Sequence, residues 1–238
     1  MHVASSCRSP KILKNALSPR SLTKEIQANL LSAFTTAALD DSPYRHWTLS
    51  NVFPPGLSEA LRTLPFAPPR LDGVSGKREL HNDQRHYFDA ENMARFGVCA
   101  AVAEAFQSEP VIHAIESVTG AELSGSFVRL EYAQDTEGFW LEPHTDLGVK
   151  RFTMLVYLAE PGSPSELGTD IYAAPDRWIK RTAFVDNTAL VFVPGANTWH
   201  GLERRPIPGI RRSLIMNYVT EAWRARDQLA YPARPVRA

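Results

Sequence analysis

His144 and Asp146, separated by Thr145, set an imidazole and a carboxylate one residue apart, and a second imidazole, His200, follows far downstream. Two imidazoles and one carboxylate on one side of a divalent metal leave the opposite coordination positions open, so such a set can present further ligands to the ion and react them. A His-x-Asp tripeptide is weak evidence alone, and His81-Asn82-Asp83 has the same form. Context separates the two. His81 sits in the polar stretch KRELHNDQRH, which reads as a surface loop, with a substrate-facing role as its alternative. His144 follows the aromatic, strand-like GFWLEP and precedes KRFTMLVYL. Metal ligands are held best on regular elements, which favours His144 and Asp146.

His200 closes the turn after ALVFVPGANT, where a lone histidine could equally be a hydrogen-bonded edge residue. The next segment favours the ligand reading. From Arg211 the chain alternates: Arg211, Ser213, Ile215 and Asn217 share one face, and Arg212, Leu214, Met216 and Tyr218 share the other. The first face suits a polar barrel interior. The second suits packing under helices, with Arg212 near an edge. Arg211 therefore points inward, where a guanidinium can clamp a carboxylate.

The elements that must position these groups fall into two halves. SLTKEIQANLLSAFTTAAL has helical spacing with Ser21 as an N-cap, Leu57–Leu64 reads as a short helix, and 90–107 and 110–119 as two more, closed by Gly120. The polar segment 68–89 reads as loop. After Gly120, short β-branched and aromatic runs alternate with turn residues: SFVRLEY, RFTMLVYL, TDIYAA, RTAFV, ALVFVP and RRSLIMNYVT. About eight antiparallel strands without intervening helices predict a mainly β fold with flanking helices. That fold is a double-stranded β-helix, the jelly-roll or cupin-like architecture, with N-terminal helices packed on one sheet. The expected organisation is a disordered leader over 1–20 and a single domain over 21–238, with helical support and substrate loops to 120 and the jelly-roll core over 121–222.

Composition narrows the function classes. Lys+Arg and Asp+Glu both number 26, so the chain lacks the basic excess of a nucleic-acid binder. The two cysteines, Cys7 and Cys99, define neither a disulfide framework nor a zinc site. Apolar runs are strand-sized, so no membrane span is expected. The N-terminus is basic and Ser-rich without an apolar h-region, which predicts a cytoplasmic protein. A small-molecule partner and a monomer or homodimer are expected.

Taken together, the ordered set from Gly125 to Thr220 resembles the Fe(II)/2-oxoglutarate-dependent oxygenases, in particular their prolyl-hydroxylase-like branch. The set is SFVRLEY, His144-x-Asp146, TMLVYL, FVPGANTWH with His200, and Gly209-x-Arg211-x-Ser213. The resemblance implies a dioxygenase in which His144, Asp146 and His200 hold Fe(II). Arg211 would bind the distal carboxylate of 2-oxoglutarate, helped by Ser213 or Tyr157, with Thr153 on the Tyr157 face and Tyr132 lining the co-substrate pocket. The reaction it implies consumes O2, converts 2-oxoglutarate to succinate and carbon dioxide, and hydroxylates a substrate C–H bond, with ascorbate as an expected support. An intact Asp146 favours hydroxylation over halogenation, since related halogenases carry Gly or Ala there. The family's Gly-Gly pair is present only as Gly168-Thr169, which brings Thr169 and Asp170 forward as substrate contacts. Phe139 or Trp140 would wall the substrate site, with ordinary core aromatics as the equal alternative. Arg78, Arg85 and His86 would meet an anionic substrate or else lie on a solvated loop. A small-metabolite hydroxylase leads. A peptide or protein prolyl-type hydroxylase and a non-catalytic jelly-roll binding module remain the alternatives. A zinc hydrolase is weaker still, because no His-Glu-x-x-His helix supplies a base.

Overall fold

The computed structural model describes residues 19–73, 75–77 and 84–237. Residues 1–18 of the expected leader, Cys7, Arg78, His81 and Asp83 lie outside them. Helix α1 (Pro19–Thr35) already includes Arg20 and Ser21, so Ser21 is a helix-interior residue and not the N-cap. Its buried stripe is Ile26, Leu30, Ala33 and Phe34, the spacing of one helical face. Strands β1 (Ala38–Asp40) and β2 (His46–Ser50) form a hairpin, followed by α2 (Leu57–Arg62) and the two-residue β3 (His86–Tyr87). The single helix expected over 90–107 is two, α3 (Ala90–Arg95) and α4 (Gly97–Gln107), because Phe96 is extended at φ −128° and ψ 105°. Asp89 caps α3 by accepting from the Asn92 N–H at 2.8 Å. Helix α5 (Glu109–Thr119) ends at Gly120, whose φ of 73° is the left-handed cap that glycine tolerates.

Eight strands follow: β4 (Phe127–Asp135), β5 (Leu141–His144), β6 (Lys150–Tyr157), β7 (Asp170–Ala174), β8 (Arg177–Arg181), β9 (Thr188–Phe192), β10 (His200–Leu202) and β11 (Arg211–Val219). They form two antiparallel sheets. The larger has the order β1-β2-β9-β6-β11-β4-β3, and the smaller β5-β10-β7-β8. This is the expected jelly roll, widened by three strands from the N-terminal half. RTAFV is corrected: the strand is RWIKR just before it, an exposed edge strand whose side chains carry no burial signal.

Strand parity sorts the molecule into two cores. The outer face of the large sheet, including Leu130, Tyr132, Met154, Val156, Leu214, Met216 and Tyr218, packs with α1, α4 and α5 into one hydrophobic cluster. Helix α4 is rich in alanine and is buried at Cys99, Ala101, Val102, Ala103, Ala105 and Phe106, which lets it lie close to both α1 and the sheet. The inner face carries Ala133, Leu155, Tyr157, Leu190, Phe192 and Ile215 against the small sheet. No helix among the described residues is long and apolar enough to cross a membrane.

Candidate metal centre

Strand β5 ends on His144 and strand β10 begins on His200, and the antiparallel register sets the two residues opposite each other. Their ring centroids are 4.3 Å apart. Strand β10 is only three residues long, yet it is held tightly. A Cβ on Gly201 would come within 2.8 Å of the Leu141 carbonyl oxygen, so the approach of β5 to β10 depends on glycine directly after His200. One ligand atom from each of His144, Asp146 and His200 lies within 4.8 Å of the others.

Hydrogen bonding sets the tautomers. His144 Nδ1 meets the Glu142 carbonyl at 2.8 Å, and His200 Nδ1 meets the Thr198 carbonyl at 3.0 Å. A carbonyl only accepts, so each Nδ1 carries the proton and each Nε2 presents a lone pair, the arrangement of a metal-ligating imidazole. Burial and the neighbouring His144 push the His200 imidazole down to about 4, so it is neutral at pH 7. Burial opposes ionisation of Asp146, but the charge of Lys150 and hydrogen bonds from Lys150 and Thr153 outweigh it, holding the carboxyl well below its usual range. Asp146 and His200 are therefore in the protonation state a divalent cation requires.

The centre opens onto a cavity of about 780 Å³. His144, Asp146, His200, Thr153, Thr169, Arg85 and Arg211 all line it. Arg211 is on the inner face as strand parity predicts, 2% exposed. Its Nη1 donates to Asp135 at 2.6 Å and its Nε to the Leu167 carbonyl, while no described residue accepts from Nη2. Ser213, two residues along the same face, is fully buried and its hydroxyl has no partner.

The structure places several of the expected contact residues away from the cavity or in other bonds. Tyr132 has the opposite parity: its ring packs in the helix-side core and its hydroxyl donates to the Leu61 carbonyl at 2.9 Å, away from the cavity. Tyr157 faces inward, with its hydroxyl bonded to Thr169 Oγ1 at 2.8 Å and Thr182 Oγ1 at 2.7 Å, which holds Thr169 in place. Asp170 is fully buried and takes donors from Trp178, Arg181, Arg205 and the Glu203 N–H, a structural anchor for the small sheet. Phe139 is a core aromatic, and Trp140 packs between Gly76 and the Arg204 guanidinium outside the cavity. His86 stacks on Phe66 and bonds to the Ala67 carbonyl, also away from the cavity. Gly168 has a reason of its own, since any Cβ there would collide with the Thr182 backbone.

Sequence reading also missed a polar row. Thr153 Oγ1 donates to Asp146 Oδ2 at 2.6 Å and receives Asn217 Nδ2 at 2.9 Å; Asn217 Oδ1 receives Arg129 Nη1 at 3.1 Å. Arg129 Nη2 pairs with Glu131 at 3.1 Å, and Glu131 also takes a forked pair from Arg85. The signal was there in SFVRLEY, where Arg129 and Glu131 alternate with Val128 and Leu130. Charged residues at that spacing in a strand buried on both faces must point into the barrel.

Two imidazoles and a carboxylate thus converge inside a jelly roll, in a group that could hold a metal ion. Solved structures share the architecture. A prolyl-4-hydroxylase from Pseudomonas putida is 17% identical, with 82% of this chain and 94% of that one covered at a TM-score of 0.51. A prolyl 4-hydroxylase from Phytophthora capsici is 14% identical, with 89% and 69% covered and a TM-score of 0.54. A Trichoplax adhaerens prolyl hydroxylase, solved with a hypoxia-inducible-factor degradation-domain peptide, is 11% identical, with 87% and 94% covered and a TM-score of 0.53. No protein-family model matches the chain, and no curated protein sequence matches it. At these identities the likeness is one of fold.

Proposed function

We propose that this chain is an Fe(II)- and 2-oxoglutarate-dependent dioxygenase that hydroxylates a C–H bond of a small anionic metabolite. The observation that carries the reading is the coincidence, in one cavity, of the facing His144/His200 pair, an ionised Asp146, and a buried guanidinium at Arg211. The donor set fits divalent iron, leaving open positions opposite the three ligands. Arg211 and the unpartnered Ser213 hydroxyl fit the distal carboxylate of a 2-oxo diacid. Asp135 already neutralises much of the Arg211 charge, so selectivity there rests on directed hydrogen bonds more than on net charge. When bound, the iron and its co-substrate supply the oxidising power for C–H cleavage. The chain supplies orientation, through Thr153 on Asp146 and the two backbone carbonyls on the imidazoles, and an apolar wall of Leu155, Leu202 and Ile215 that excludes water.

The cavity wall supports an anionic substrate. Among the described residues its cations are Lys77, Arg85, Arg129, Lys150, Arg211 and Arg224, against the carboxylates Glu131, Glu142 and Asp146. The whole chain is neutral, so this excess is local to the cavity and focuses anions toward the metal. A cavity of about 780 Å³ suits a metabolite better than a polymer.

The test is anaerobic addition of Fe(II) and 2-oxoglutarate, followed by air and a panel of matched carboxylates and carboxamides. A visible charge-transfer band and carboxylate-stimulated succinate formation are expected. The absence of both would refute the reading, and stimulation by peptides alone would favour the protein-hydroxylase alternative. Ser213→Ala should weaken 2-oxoglutarate binding by roughly tenfold, the value of one hydrogen bond to a charged group. It should also leave the melting temperature unchanged or raised, because the wild-type hydroxyl is buried without a partner. Calorimetric titration with 2-oxoglutarate beside a thermal melt checks both halves, and Arg212→Ala, on the other face of β11, should change the affinity less than twofold.

A further inference from the structure

Both carboxylate oxygens of Asp146 are engaged by side chains of the chain itself. Thr153 Oγ1 donates to Oδ2 at 2.6 Å, and the Lys150 ammonium is paired with Oδ1. The Asp146 side chain is 4% exposed and that of Lys150 16%. A divalent cation held by His144, Asp146 and His200 must take one of those two oxygens.

The two donors are held very differently. Thr153 is in the middle of the large sheet, buried, with its hydroxyl fixed by Asn217 Nδ2 at 2.9 Å. Lys150 is the first residue of β6, and its ammonium rides on a flexible four-carbon stem. It also has somewhere to go. Lys150 and Asp146 line both the main cavity and a second one of about 490 Å³, which has Glu122 in its wall. An ammonium and a dication on the same buried carboxylate repel each other in a medium that screens poorly.

From this geometry we infer that Lys150 is a cation placeholder, occupying on Asp146 the position a divalent metal takes and leaving toward the second cavity when the metal binds. This rests on the metal-centre reading above. The placeholder keeps Asp146 ionised and oriented before loading, so the metal-free fold is not left with an unpaired buried charge. It also makes metal affinity lower than the ligand set alone would give, since the ion must displace a paired ammonium.

Wild-type protein tests this directly through site-resolved acetylation read by mass spectrometry, with and without saturating Mn(II). Lys150 should become at least fivefold more reactive on metal loading, relative to exposed Lys24 on α1. Calorimetric titration of Lys150→Met with Mn(II) should show a dissociation constant at least tenfold below wild type. Metal binding with Lys150 reactivity unchanged or reduced overturns the placeholder alone, as does a Lys150→Met variant that binds Mn(II) no tighter than wild type. Should that variant fail to fold, the acetylation result decides. No Mn(II) binding by wild type overturns the metal centre and the placeholder together.

Discussion

His200→Ala is expected to weaken metal binding about a hundredfold and, with it, to diminish the visible band of the Fe(II)–2-oxoglutarate complex. Four-ligand metal sites gain about 10–16 kcal/mol in all, so one lost imidazole removes roughly 3 kcal/mol, about a hundredfold in affinity. The loss should be specific, because His113→Ala on the exposed face of α5 leaves the centre untouched. A second consequence separates the role of His200 from mere packing against Phe192, whose ring centroid is 4.8 Å away. In the metal-free protein burial lowers the His200 imidazole from 6.5 to about 4. Between those values the unfolded chain binds a proton here and the folded chain does not, so native stability falls as pH falls across that window, by up to roughly 3 kcal/mol. The variant has no such group. Its melting temperature should decline less between pH 6.5 and pH 4 than that of metal-free wild type, as scanning calorimetry would record. Parallel declines would mean that His200 is not buried neutral.

The strong features of the site were legible because they depend on strand period alone. The alternation along β11 is kept: Leu214, Met216 and Tyr218 enter the helix-side core, Ile215 enters the inner one, and Arg211, Ser213 and Asn217 are buried polar residues of the other parity. Tyr132 was misplaced because a resemblance was followed where the same parity rule, applied to SFVRLEY, sets it on the helix side with Leu130. The strands that carry the histidines were the least legible of the core. Strand β10 has three residues and β5 four half-buried ones, too few for a period to show. Strand β2 was missed for a related reason: HWTLS is five residues in a half that otherwise reads as helical, and it becomes a strand by pairing with the distant β9 at the register Trp47↔Val191 and Thr48↔Leu190. Asp170 shows the opposite failure. A carboxylate after the Gly168 position has the sequence signature of a ligand contact, and only the fold reveals two arginines and a tryptophan closing around it.

The second large effect belongs to Arg129, a residue whose inward place and partners emerge only from the fold. Its guanidinium is 2% exposed and lies between the rings of Tyr87 and Trp223, each centroid 4.9 Å away. It donates to Gln228, Asn217 and Glu131 from three different nitrogens. Arg129→Leu keeps much of the volume and removes every donor, leaving the Asn217 and Gln228 carbonyl oxygens without their donor and Glu131 with fewer. Breaking a buried ion pair from one side costs about 3–5 kcal/mol, which for a chain of this size lowers the melting temperature by roughly 6–20 °C. The damage should also reach the metal. Asn217 orients Thr153, and Thr153 orients Asp146, so a freed Asn217 amide loosens the carboxylate at the far end of the row. Outer partners of this kind change metal affinity by about 10–100-fold. Arg129→Lys restores charge beside Glu131 without the fork that holds Asn217, so it should recover most of the stability and little of the Mn(II) affinity. A lysine variant that regained both would show that the row acts through charge alone. A leucine variant that melts early but binds Mn(II) like wild type would show that the polar row supports the fold without reaching Asp146.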